Sequence, residues 1–260
     1  MRRGERAALS HLRLCFYDGS MTSGWRFCDR RQQRARMSKY EPVAKAPVRI
    51  QQNILARGER RLLNWLCARL PAWVTPDQLT ALGFAGAVLV AAGYLLSWFD
   101  SEWLGLCLVG YIVNWFGDSL DGSLARWRGI ERPNYGYFVD HSVDAIATFL
   151  MISAIGMSPY MRLDVALMGV IGYFLLSIHT FISAKILGEF RLSYMAGGPT
   201  ELRLMLMAMT ALMPVVGGAD VAGTNFSAFD LFALVVASIL VTLFVVQTSM
   251  TARMLRRRGN

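Results

Sequence analysis

The chain has 260 residues, 54% of them hydrophobic and 17% charged, with a mean hydropathy of +0.36. That is too apolar for an ordinary soluble domain and fits a polytopic membrane protein. The formal charge of +9 comes from residues 1–69, which carry 16 Lys and Arg against 5 Asp and Glu, while the remainder carries 11 against 13. A nucleic-acid-binding role is disfavoured, because no soluble domain follows the basic segment to present a groove-reading element.

The basic segment, residues 1–47, has no apolar core of the signal-peptide type and is expected to be disordered. Met37 offers an alternative translation start, which the intact mass of the native protein would test. Residues 48–71 then alternate apolar and basic positions at helical spacing. Ile54, Leu55, Leu62, Leu63, Leu66 and Leu70 can share one face, with Arg57, Arg60, Arg61 and Arg69 left to reach water, and Pro71 stops the helix. This is expected to be an interfacial helix against anionic lipid head groups. Cys15, Cys28, Cys67 and Cys107 are scattered, without the spacing of a disulfide framework or a metal site.

Six apolar runs follow, at about residues 78–99, 103–125, 137–157, 163–187, 201–217 and 227–251, each near the ~20 residues that a span needs. The expected fold is therefore an all-α integral membrane protein, with six transmembrane helices at 75–252 behind a juxtamembrane amphipathic helix. Residues 253–260 form a basic tail. Met205, Met207, Met209 and Met213 in the fifth run read as soft packing rather than a metal box. His179 and Lys185 in the fourth read as interhelical hydrogen bonding and snorkelling.

Arg126, Arg128, Arg132, Lys185, Arg191, Arg203, Arg253 and Arg256 fall on the same side as the N-terminal segment, whereas Arg162 falls opposite. The positive-inside rule then puts both termini in the cytoplasm, in a bacterial-type inner membrane.

The unusual stretch is residues 118–144. An aspartate at a helix centre in a bilayer costs about 2.5–3.5 kcal/mol on insertion scales, and this stretch carries Asp118, Asp121, Asp140 and Asp144. Asp118, Asp121, Gly122 and Ala125 form one helical stripe, and Gly136, Asp140 and Asp144 form a second. The short link between them, containing Pro133, predicts antiparallel neighbours with four carboxylates converging. Mutual repulsion calls for a cation, and oxygen-only donors select Mg²⁺ or Mn²⁺, with room for two ions. Gly122 would let a bulky group approach the backbone, and Arg126 one turn on can pair with phosphate. A solvated loop, with the acids paired to Arg126, Arg128 and Arg132, is the structural alternative.

The pattern Asp118-x2-Asp121-Gly122-x2-Ala125-Arg126-x9-Gly136-x3-Asp140-x3-Asp144 resembles the signature of the CDP-alcohol phosphotransferases, also called CDP-alcohol phosphatidyltransferases. All eight signature positions are filled, and the likeness covers about residues 70–250, including TPDQLT at 75–80. It implies that Asp118, Asp121, Asp140 and Asp144 hold the metals, and that Asp144 takes the proton from the acceptor hydroxyl. Gly122, Ala125, Arg126 and Gly136 would lie against the CDP donor, together with Asp77 and Thr80. Asp77 stands where family members often carry Asn. Asp140-His141-x2-Asp144 resembles the form found in choline and ethanolamine phosphotransferases, which makes His141 a rival base. Glu201 and Arg203 are candidates for recognising the acceptor head group, against an ordinary helix start at Pro199-Thr200.

The resemblance implies a CDP-activated donor, an alcohol acceptor, membrane lipids and a possible homodimer as partners, with CMP released. CDP-diacylglycerol with a small polar alcohol is the first expectation, and CDP-choline or CDP-ethanolamine with a lipid alcohol the second. A membrane prenyltransferase would place its acidic pairs on well-separated helices. A cation transporter would leave Gly122, Arg126 and Gly136 unexplained.

Overall fold

The apolar runs become helices whose ends are set by local chemistry. In the computed structural model the described residues are 56–187, 199–221 and 223–259, with strand segments at Leu12–Tyr17, Gly24–Asp29, Val48–Ile50 and Glu189–Arg191. The chain divides into Met1–Ala46 and Pro47–Asn260. In the first unit Leu12–Tyr17 pairs antiparallel with Gly24–Asp29. In the second, Val48–Ile50 runs parallel to Glu189–Arg191, and every long element is a helix: α1 Ala56–Cys67, α2 Pro76–Leu96, α3 Leu104–Arg128, α4 Pro133–Gly156, α5 Leu163–Leu187, α6 Pro199–Val216 and α7 Ala228–Arg258.

The TPDQLT segment starts α2 with a capping box. Thr75 Oγ1 accepts from the Gln78 amide, Gln78 Oε1 accepts from the Thr75 amide, and Pro76 opens the first turn. At the other end of the acid-bearing hairpin, α3 stops at Gly129, whose φ of 65° is left-handed. The amides of Gly129 and Ile130 cap the carbonyls of Arg126 and Ala125. Pro133 then begins α4, leaving a four-residue link.

Four of the helices, Pro76–Leu96, Pro133–Gly156, Leu163–Leu187 and Ala228–Arg257, are long and apolar enough to cross a membrane. Val88, Ile146, Ile171 and Val235 along them are each about half exposed. These features fit a multi-pass membrane protein, with large apolar side chains left for lipid. α3 lacks so apolar a stretch because it carries Asn114, Asp118 and Asp121.

The two acid-bearing helices do not pack along each other as antiparallel neighbours. α2 lies against both, most intimately against α3. The reason is a row of glycines. A Cβ at Gly86 would collide with the Asn114 backbone, one at Gly117 with the Gly83 backbone, and one at Gly110 would sit 2.7 Å from the Val90 nitrogen. The backbones of α2 and α3 can therefore meet directly, and α4 packs against α2.

The core beside this contact holds Tyr94, Tyr111 and Thr210, whose hydroxyls tie α2, α3 and α6 together. Met209 and Met213 pack in the same core, as soft packing requires. His179 bridges Ser183 and, on α7, Thr248, each at 3.2 Å.

Of the helix expected over 48–71, Val48–Ile50 is a strand, residues 51–55, with Ile54 and Leu55, lie outside the described residues, and α1 runs over Ala56–Cys67. Its buried face also differs. Leu63, Leu66, Cys67 and Leu70 pack with Leu79, Leu120 and Leu124, whereas Leu62 and Trp65 are exposed. The Arg69 guanidinium stacks over Trp65 at 3.8 Å, which screens that ring by a cation–π contact.

Candidate active site

Asp118 and Asp121 sit in the second half of α3, Asp140 and Asp144 in the first half of α4. One carboxylate oxygen from each of Asp118, Asp140 and Asp144 lies within 4.8 Å of the others. The two helices thus deliver three acids to one spot, although they touch little elsewhere. Asp121 lines the same pocket, with Thr80, Gly83, Phe84, Asn114, Val143 and Ala147. Hard oxygen donors at this separation fit Mg²⁺ or Mn²⁺.

Each acid has a distinct environment. Thr80 Oγ1 donates to Asp121 Oδ2 at 2.6 Å, so this sequence candidate orients an acid. Asp121 is 7% exposed, and Thr80 supplies one of the few donors that can compensate its burial. Asp118 receives the Arg203 guanidinium at 2.5 Å, with both side chains largely buried. Arg203, a candidate for recognising the acceptor head group, comes from α6 into the acid cluster, where it offsets part of the negative charge. Asp140 is 3.2 Å from His141 Nδ1. The His141 ring packs against Tyr137 and Phe181, with centroids 4.2 and 5.1 Å away.

The arginines rule out the solvated-loop alternative for Arg128 and Arg132. Arg128 is spent on the α1–α2 link, donating to the carbonyls of Leu70, Pro71 and Val74. Arg132 pairs with Asp77 at 2.5 Å, both about half exposed. Asp77, a sequence candidate for donor binding, is therefore engaged by an arginine at the start of α4. Arg126 is exposed, and a Cβ at Gly122 would lie 3.3 Å from its Nη1, so glycine leaves room for that guanidinium. Ala125 is half-buried on the same stripe. A Cβ at Gly136 would meet open space; packing within the protein does not explain that glycine. Glu201 is half-buried in the first turn of α6.

Two residues of this neighbourhood escaped the sequence reading. Glu59 on α1 accepts from Trp115 Nε1 at 3.1 Å and from Thr200 Oγ1 at 2.9 Å, which joins α1 to α3 and to the start of α6. Nothing local distinguishes it from a solvated helix acid. Asn114 is buried among the site residues. Its signal was available: it lies four residues before Asp118, on the same stripe.

The family model for CDP-alcohol phosphatidyltransferase matches residues 73–252. The chain is 40% identical over 90 residues to a phosphatidylinositol phosphate synthase of Cutibacterium acnes, covering 34% of this chain and 40% of that protein. It is 41% identical over 71 residues to inner membrane protein YnjF of Escherichia coli, covering 27% and 31%. With cholinephosphotransferase 1 of Danio rerio it shares 25% identity over 190 residues, 66% of this chain and 48% of the relative. The matches span less than half the length of each of these relatives.

Proposed function

The chain belongs to the CDP-alcohol phosphatidyltransferase family, and from that premise we propose that it transfers a phosphatidyl group from CDP-diacylglycerol to a small polar alcohol, releasing CMP. The observation that carries this reading is the convergence of Asp118, Asp140 and Asp144 from two helices on one pocket. Family members are generally dependent on a divalent metal, and the oxygen donors here suit one or two such ions. When bound, the metal supplies charge neutralisation for a diphosphate.

The chain's own groups have separable tasks in this scheme. Asp118, Asp121, Asp140 and Asp144 hold the cation, and Thr80 fixes the orientation of Asp121. Gly122 and Gly136 leave the donor space beside the acids, and Arg126 pairs with its diphosphate. Asp144 takes the proton of the acceptor hydroxyl as that oxygen bonds to the donor phosphorus. The bond from that phosphorus to the CMP oxygen breaks, and CMP leaves with the electron pair. Asp144 serves as base in preference to His141, because Asp144 lies in the acid cluster whereas the His141 ring packs against Tyr137 and Phe181.

Six spans with α1 on the cytoplasmic leaflet complete the reading, with the site and both termini facing the cytoplasm of a bacterial-type inner membrane and the chain paired as a homodimer. The asymmetry of Arg and Lys between the two sides supports that orientation.

A second reading, transfer of phosphocholine or phosphoethanolamine to a lipid alcohol, draws on the Asp140-His141 pair and on the cholinephosphotransferase relative. The test crosses CDP-diacylglycerol and CDP-choline against glycerol phosphate, inositol phosphate, serine and diacylglycerol, reading CMP. Release that requires CDP-diacylglycerol and a polar alcohol supports the first reading. Release that requires CDP-choline and diacylglycerol supports the second, and metal flux without CMP from any pair sinks both.

A further inference from the structure

Asn114 is 3% exposed and lines the pocket that holds the four aspartates. It extends their α3 stripe one turn deeper, at i−4 from Asp118 and i−7 from Asp121. Its orientation is fixed by chemistry. The Gly83 carbonyl lies 2.9 Å from Nδ2 and can only accept, so the nitrogen faces Gly83 and the oxygen faces away. That oxygen, Oδ1, is buried and has no hydrogen-bond partner among the described residues. The Asn114 backbone is itself wedged against Gly86 of α2.

The residues sharing the pocket do not provide a donor. No group lining the pocket is bonded to Oδ1; Gly83 accepts from Nδ2, and the single Thr80 proton goes to Asp121. A buried acceptor left in this state is unfavourable, so a partner that brings an O–H group gains by supplying the missing bond. We propose that Asn114 Oδ1 is the inner anchor of the site, accepting a hydrogen bond from an O–H group carried by a ligand. Two sources share that chemistry: a water on the bound cation and the hydroxyl of the acceptor alcohol. The second rests on the transferase reading and the first does not.

The test uses the full chain in nanodiscs, with Mn²⁺ affinity measured by electron paramagnetic resonance and acceptor KM measured by CMP release. Asn114→Leu removes the acceptor at similar volume, and Asn114→Asp keeps an acceptor while losing the donor to Gly83. A water on the cation predicts Mn²⁺ affinity about tenfold weaker in Asn114→Leu, and an acceptor hydroxyl predicts unchanged Mn²⁺ affinity with KM about tenfold higher. In either case Asn114→Asp stays within about threefold of the parent.

The proposal is overturned if a folded Asn114→Leu protein keeps both constants. It is equally overturned if Asn114→Asp loses as much as Asn114→Leu, since the Gly83 bond alone would then matter. Should Asn114→Leu fail to fold, Asn114→Asp decides: retained constants support the anchor and lost constants remove it. Absence of CMP from the parent with every donor would refute the transferase reading, while the Mn²⁺ arm would still judge Asn114.

Discussion

Replacing Thr80 with valine removes one hydrogen-bond donor and almost no volume, which isolates what that hydroxyl does. Thr80 Oγ1 lies 2.6 Å from Asp121 Oδ2 and 3.2 Å from the Pro76 carbonyl. It has one proton, which goes to the nearer and charged acceptor. Asp121 is largely buried, with the Gly122 amide as its other donor, so few partners can compensate the loss. Hydrogen bonds to charged groups contribute about 1.5–3 kcal/mol, and each 1.4 kcal/mol is a factor of about ten. Thr80→Val should therefore lower kcat/KM for the CDP donor, or weaken Mn²⁺ binding, by roughly 10- to 150-fold. Thr80→Ser, which keeps the hydroxyl, should recover most of that loss. The assays are initial CMP release across donor concentrations and Mn²⁺ titration of the same preparations. Full activity and affinity in Thr80→Val would refute the claim that this hydroxyl organises the acid cluster. Equal loss in Thr80→Ser would assign the effect to packing instead.

Other consequences follow from the packing. Gly117→Ala should destabilise the protein by about 1–3 kcal/mol or more, because its Cβ would strike the Gly83 backbone, whereas Gly105→Ala, with nothing near, should be neutral or slightly stabilising. Thermal unfolding in detergent reads the contrast, and equal midpoints would deny the close α2–α3 contact. Cys67 is 3% exposed, and burial pushes its thiol up, against the opposing pull of Arg126 and Arg128. In a Cys15→Ser, Cys28→Ser background it should label with maleimide far more slowly at pH 8 than an exposed cysteine introduced by Arg60→Cys; equal rates would contradict the packing of α1. Glu59→Ala removes an acceptor shared by Trp115 and Thr200. It should loosen the start of α6, measured as faster amide exchange at residues 200–203, and unchanged exchange would deny that coupling.

The helices were legible because long apolar runs are a local signal, but the ends set by Pro76, Gly129 and Pro133 lie outside the runs at 78–99, 103–125 and 137–157. The acid stripes were legible because helical periodicity places Asp118 beside Asp121 and Asp140 beside Asp144 without knowledge of the fold. What joins the stripes was not. Sequence adjacency suggested that α3 and α4 pack on each other, but the intimate contact is between α2 and α3, through Gly83, Gly86, Gly110 and Gly117. A glycine row announces a close approach and does not name its partner. Arg203 illustrates the same limit, lying 85 residues from the Asp118 that it pairs with. Thr80 was picked out for its place in TPDQLT, yet its contact with Asp121 spans 41 residues and appears only once α2 is docked on α3.

The most direct test of the proposed chemistry is CMP formation from CDP-diacylglycerol by the parent chain and by Asp144→Asn. Both are assayed in nanodiscs at saturating Mg²⁺ and again after chelation. The account predicts CMP from the parent only with metal and with a polar alcohol present, and none above background from a folded Asp144→Asn protein. Undiminished CMP release from Asp144→Asn, or release that survives chelation, would contradict it.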